Sequence, residues 1–176
     1  MSKAFTRESD SGAEEIPAFR PQLPPGARNF ITRAGADGLR QRLTGLLETK
    51  QASGNRNLDA SATVEADLRK VESDIRSLQQ TLESVVVAEI PADQTKVAFG
   101  ATVTVRNANG AEETYRIVGV EEANPEHGSI SWISPLARAL LSRRAGDIVR
   151  FHSPAGDEEL VIMAVRYSGG SGFKNL

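Results

Sequence analysis

The feature that most restricts the fold is a heptad seam. From Ala60 onward the apolar residues Val64, Leu68, Val71, Ile75, Leu78, Leu82 and Val85 follow one another at alternating intervals of four and three residues. That spacing lays a narrow apolar stripe along a helix, and such a stripe is buried only against a second helix carrying its complement. The complement precedes it. Leu39, Leu43 and Leu46, with Lys50 in the same register, repeat the interval on a shorter segment, and Thr32 or Asp37 is placed to cap its start. The expectation is an antiparallel coiled-coil hairpin over residues 29–90. At 1.5 Å per residue its second helix would be roughly 40 Å long and would project from any small domain attached to it. The segment QASGNRNLDAS, Gln51 to Ser61, forms its tip.

Beyond a short connector at residues 90–95 the apolar period changes to two. VAFGATVTVRN and ETYRIVGVEE are expected strands, joined through Asn109-Gly110, a dipeptide whose residues both tolerate positive φ. SISWIS adds a third strand. SPLARALLSRR follows as a short helix, with Ser134 as N-cap, Pro135 in the first turn and Gly146 available to stop it. IVRFH and ELVIMAVRY then make a second hairpin across SPAGDE. Residues 91–168 therefore read as an antiparallel β-sheet domain, with Leu136, Leu140 and Leu141 of the one helix covering a face. The fold class is α+β.

The ends differ from both regions. Residues 1–28 mix charge, Ser and Gly with Pro17, Pro21, Pro24 and Pro25, a composition that buries too little apolar area to offset the entropy of ordering. This arm reads as flexible, and its phrase IPAFRPQLPPG as a solvated linker, with extended docking on a partner as the alternative. Residues 169–176 read as a mobile tail.

Composition limits the function. A net charge of −2 gives no global attraction to nucleic acid, so an anionic partner would need a local patch. The absence of cysteine excludes a disulfide framework, thiolate metal ligands and a cysteine nucleophile. The N-terminus has no apolar core of signal-peptide length and no run approaches a membrane span, which makes the cytoplasm the expected address. His127 and His152 have no acidic or second imidazole partner at ligand spacing on their own elements. Ser134 lacks the glycines of a nucleophile elbow, and neither a phosphate-binding loop nor a dinucleotide fingerprint is present. On the hairpin, Arg40, Arg42, Arg56, Arg69, Lys70 and Arg76 are interleaved with Glu48, Glu65, Asp67, Glu72, Asp74 and Glu83, which suits a solvated face better than a nucleic-acid strip. Asp59 reads first as the cap of the second helix and only weakly as a metal ligand. An enzyme with its own active site is not expected.

The pattern resembles the GreA/GreB family of bacterial transcription elongation factors. The resemblance is carried by FGATVTV, YRIVGVEEA, ISWISPLARALL, GDIV and SPAG, which follow one another in the family's order, and by ITRAGADGLRQRL and RSLQQTLESVVV in the hairpin. It covers about residues 31 to 167. It implies a coiled-coil arm on an FKBP-like domain that binds RNA polymerase, as a monomer, with the arm directed into the secondary channel and only indirect contact with nucleic acid. In cleavage-stimulating members, two acidic tip residues help hold the second catalytic Mg²⁺ of the polymerase active centre, so the factor completes a site and carries no cofactor of its own.

Alignment through DIRSL, Asp74 to Leu78, places those two acidic positions on Gly54 and Asn57, neither of which offers a carboxylate. The tip residues Gly54, Asn55, Arg56, Asn57 and Asp59 are then expected to give little or no cleavage stimulation, unless Asp59 substitutes in a rearranged tip. The first helix is also shorter than in the cleavage factors. By the same resemblance Ser134 and Pro135 match the polymerase-docking loop, with Ile133 and Arg138 beside them. The leading expectation is a polymerase-binding regulator. The alternatives are a cleavage activator using Asp59 and a short-armed module for a non-polymerase partner.

Overall fold

A computed structural model describes residues 23–54, 62–153 and 156–168. The element order is β1 (Asn29–Ile31), α1 (Arg33–Gly54), α2 (Ala62–Ser84), β2 (Val85–Val87), β3 (Ala101–Asn107), β4 (Glu112–Val118), β5 (Ser129–Ser131), α3 (Pro135–Leu140), β6 (Ile148–Ser153) and β7 (Gly156–Tyr167). The expected α+β architecture is what forms: two long packed helices, then a sheet with one short helix.

Helix α1 starts where its cap predicts. Thr32 Oγ1 accepts from the Gly35 N–H at 3.0 Å, satisfying one of the first-turn donors, whereas Asp37 pairs with Arg40 at 2.8 Å instead. The seam against α2 is deepest at the base, where Ile75 and Leu78 are 7% and 8% exposed. Towards the tip Val64 reaches 40% exposure, because two helices alone leave the outer flanks of their seam in water. There Lys50 Nζ bridges the helices to Glu72 Oε1 at 2.9 Å, and that ammonium, by hydrogen bond and by charge, holds the Glu72 carboxyl below its ordinary value.

The heptad does not continue through Val85. Helix α2 ends at Ser84, and Val85–Val87 pair in parallel with Asn29–Ile31 as a separate two-stranded ribbon. Three consecutive β-branched residues favour extended backbone, and the ladder formed with β1 outweighs one further seam position.

The main sheet has five strands in the order β5-β4-β3-β7-β6. All its pairings are antiparallel except β4 with β5, so one edge departs from the expected antiparallel sheet. Two 3₁₀ turns, Val120–Glu122 and Pro125–His127, carry the chain back so that β5 restarts in the direction of β4. The β3–β4 turn is wider than a two-residue hairpin. The Asn107 side chain accepts from the N–H groups of Asn109 and Ala111, each at 3.0 Å, and only Gly110 takes positive φ.

Strand β3 alternates as its pattern requires, with Ala101, Val103 and Val105 turned into a core shared with Ile117, Leu140 and Ile162. Helix α3 is shorter than the expected SPLARALLSRR. It ends at Leu140, and Ser142 at φ +67° breaks the helical path before Gly146 is reached. The Tyr167 hydroxyl pins the approach to β3, accepting from Ala98 N at 2.8 Å and donating to Lys96 O at 2.6 Å. No helix among the described residues is long and apolar enough to cross a membrane.

Candidate functional site

The region between hairpin and sheet is built around one carboxylate. Glu122, in the first 3₁₀ turn, accepts from the Thr32 backbone N–H at 2.8 Å and the Gly119 N–H at 3.1 Å through Oε2, and from the Thr32 hydroxyl through Oε1. Thr32 is 7% exposed, so these bonds fix the first turn of α1 to the sheet domain in a setting where a lost partner would leave a buried donor unpaired. Two glycines make the approach close enough. A Cβ at Gly119 would run into the Phe30 carbonyl oxygen, and one at Gly35 into the Glu122 carboxyl. The residues Phe30 and Trp132 meet edge-on beside this junction, with ring centroids 5.9 Å apart.

Beside the junction lies a groove of about 1320 Å³ between the hairpin and the sheet domain. Leu39, Arg42, Asp74 and Leu78 line it on the helical side. Ile133, Ser134, Pro135 and Arg138 line it on the other, so all four expected docking residues share one surface. Local structure explains their presentation. Ser134 caps α3, its Oγ accepting from Ala137 N at 3.2 Å, and Pro135 occupies the first helical position, where no N–H is needed. Pro135 and Arg138 are exposed and Ser134 is half-buried. Ile133, at 9% exposed, is a floor residue rather than a free apolar contact, and Trp132 spends its surface on Phe30.

The tip is only partly described. Gly54 is the last residue of α1, and Asn55, Arg56, Asn57 and Asp59 lie outside the described residues. Of the neighbouring carboxylates, Glu65 pairs with Arg69 at 3.5 Å along the same helix face. That pair, with Arg40–Asp37 and Lys50–Glu72, agrees with a solvated mixed-charge surface.

His152 does have an acidic partner, contrary to the reading from its own strand. The β6–β7 register sets Asp157 opposite it, with Oδ1 at 2.7 Å from Nδ1. Both side chains are more than 80% exposed, at 82% and 88%, which makes this a surface pair. Glu122 escaped sequence reasoning altogether. As one acid in the run VEEA it gives no sign of its role at the junction, because the partner that ties it to the hairpin, Thr32, lies ninety residues away.

The chain is similar to known proteins. The family model for the C-terminal part of transcription elongation factor GreA/GreB matches residues 92–167. Transcription elongation factor GreB of Neisseria meningitidis is 35% identical over 154 residues, spanning 80% of this chain and 94% of that protein. Transcription elongation factor GreA of Alkalilimnicola ehrlichii is 36% identical over 154 residues, spanning 78% and 97%. Among solved structures, the GreA factor homolog 1 of Thermus thermophilus aligns with 80% of this chain and 99% of its own at 24% identity and a TM-score of 0.38. Identity of this extent across nearly the whole length of its relatives means that the chain belongs to the GreA/GreB family of transcription elongation factors.

Proposed function

We propose that this protein binds bacterial RNA polymerase at its secondary channel through Ser134, Pro135 and Arg138, inserts the helical hairpin, and modulates transcription with little or no stimulation of RNA cleavage. The observation that carries the reading is a contrast within one chain. The docking loop keeps its Ser-Pro pair at the N-terminus of α3, while the tip has Gly54 and Asn57 where cleavage would call for two carboxylates. Metal-assisted cleavage needs anionic oxygens to bring a second cation to the scissile phosphate, and a glycine and an amide supply none.

Reach supports the same reading. Helices of 22 and 23 residues are each about 33–35 Å long at 1.5 Å per residue, and the resemblance implies a longer first helix in the cleavage factors, so this arm would carry its tip less far. On this view the chain is not itself an enzyme, Mg²⁺ belongs to the polymerase, and contact with nucleic acid is indirect. An FKBP-like sheet domain serves as the docking platform.

Two assays on purified polymerase test the proposal. Core enzyme should retain the chain on an affinity resin, and Ser134→Ala with Pro135→Ala should reduce retention at least several-fold. No retention of the unaltered chain would overturn the docking assignment. In a backtracked complex with Mg²⁺, transcript length should stay at the level without factor. Shortening that disappears in Asp59→Ala would instead assign cleavage to a rearranged tip.

A further inference from the structure

A net charge of −2 confines any attraction for anions to a local patch, and the fold builds one at the root of the arm. A notch of about 290 Å³ lies there, away from the groove, and Arg33 of α1 and Arg116 of β4 both line it. Arg33 is exposed and has no ion-pair partner among the described residues. Arg116 stands in a row across the sheet with Ser129 and Thr102, and Thr102 pairs on its other side with Arg166. Thr102 alternates with the core residues Ala101 and Val103, so this row faces away from the core with two guanidiniums, two hydroxyls and no carboxylate. Among the described residues Glu89 is the one carboxylate lining the notch, and the two arginines outweigh it.

Beside these cations the lining is apolar. Val87 and Ile90, large side chains left 39% and 45% exposed, meet Phe99 in the notch. Phe99 is braced by Phe30, with ring centroids 5.9 Å apart at 51°, so its ring has a fixed place. Each guanidinium can hold a phosphate through two parallel N–H···O bonds, and a nucleobase lays its face on rings and aliphatic side chains. A phosphate alone would leave Phe99, Val87 and Ile90 in water, whereas the volume is at the lower end for small-molecule pockets, roughly 300–1,000 Å³. We propose that this notch binds a nucleoside di- or triphosphate, with its phosphates on Arg33 and Arg116 and its base against Phe99, Val87 and Ile90. Arg33 belongs to the arm and Arg116 to the sheet, so the bound nucleotide ties the two together at the first turn of α1.

The full-length chain, titrated calorimetrically with ATP and with GTP, should bind each nucleotide saturably at a single site. Arg33→Glu should weaken that binding at least tenfold, and its exposed position leaves the fold intact. Arg150→Glu makes the same change of charge on β6, the edge strand farthest from β4 and β5, and should leave affinity within twofold. Ile90→Asp should weaken binding at least threefold, and adenosine, which lacks phosphates, should bind at least tenfold more weakly than ATP. With ATP present, hydrogen exchange should slow at residues 33–36 and 87–90 and stay unchanged in β6. No saturable binding of either nucleotide overturns the proposal. Equal losses in Arg33→Glu and Arg150→Glu overturn it too, since they would reduce the attraction to overall charge. Pyrophosphate that binds as tightly as ATP would overturn the nucleoside assignment. An RNA oligonucleotide with a 5′-hydroxyl that binds more tightly than ATP and displaces it would assign the patch to a nucleic-acid backbone and overturn the proposal equally.

Discussion

Val103, Ile117 and Leu140 in the sheet domain are all 0% exposed, whereas Leu47 and Val64 on the hairpin are 45% and 40% exposed. The sheet closes a core between strands and α3, so its apolar side chains have neighbours on every side. The hairpin has one seam, and towards the tip that seam is supplemented by the Lys50–Glu72 bridge in open solvent. One region is a platform whose stability comes from apolar burial. The other is an arm whose outer half is inexpensive to reshape and contributes little to holding the molecule together.

The largest expected effect separates the two directly. Leu140→Ala should cost about 2–5 kcal/mol in urea unfolding, the range for emptying a fully buried site, while Leu47→Ala should stay within about 0.5 kcal/mol. Equal losses would break the contrast. Next is the junction. Glu122→Ala leaves the Thr32 and Gly119 N–H groups without their carboxylate and should cost about 1–3 kcal/mol. Hydrogen exchange should then quicken in the first turn of α1 while β3 keeps its protection. Simultaneous loss in β3 would merge platform and arm into one cooperative unit.

Two smaller effects depend on pH and fall on opposite sides of neutrality. Burial, and then the hydrogen bond to Glu113, push the Tyr115 phenol up from 10.0 to about 12. A raised value means that the stabilisation is fully present below pH 10 and is lost as pH rises through about 12. Tyr115→Phe should remove that alkaline step from the sheet's melting profile, and an unchanged profile would refute the assignment. Glu72 is displaced downwards by Lys50, so its contribution is present above its ordinary value of 4.5 and is lost as pH falls through the lowered one. Lys50→Ala should restore an ordinary carboxyl titration and slightly quicken exchange in the outer half of the hairpin only. This is the smallest of the four effects, and added salt should shrink it further.

How much of this was legible follows the range of each interaction. Ser134 could be read as a cap because its partner, Ala137, is three residues away. The alternation of Ala101, Val103 and Val105 and the seam through Ile75 and Leu78 could be read because a period reports which face is buried. Spacing alone carried the seam on to Val85, since it contains no information about a strand waiting at residues 29–31. Glu122 and the parallel β4–β5 edge were invisible for the same reason. Ile133, apolar in the loop before α3, looked like a contact residue, and only the fold turns it to the groove floor. The tip shows the reverse case: the absence of carboxylates at Gly54 and Asn57 is plain from the sequence.

The parallel pairing of β1 with β2 has a geometric consequence for the arm. Helix α1 leaves the ribbon just past Ile31, at one end, and α2 enters at Val85, at the other, because Ile31 faces Val87 and Asn29 faces Val85. The ribbon thus lies across the base of the hairpin like a gauge block between two rods. Three residues at about 3.3 Å each give it a length close to the 8–10 Å at which two helices pack. Its length is of the order of the separation at which two helices pack, so one residue added to each strand should splay the arm from its root.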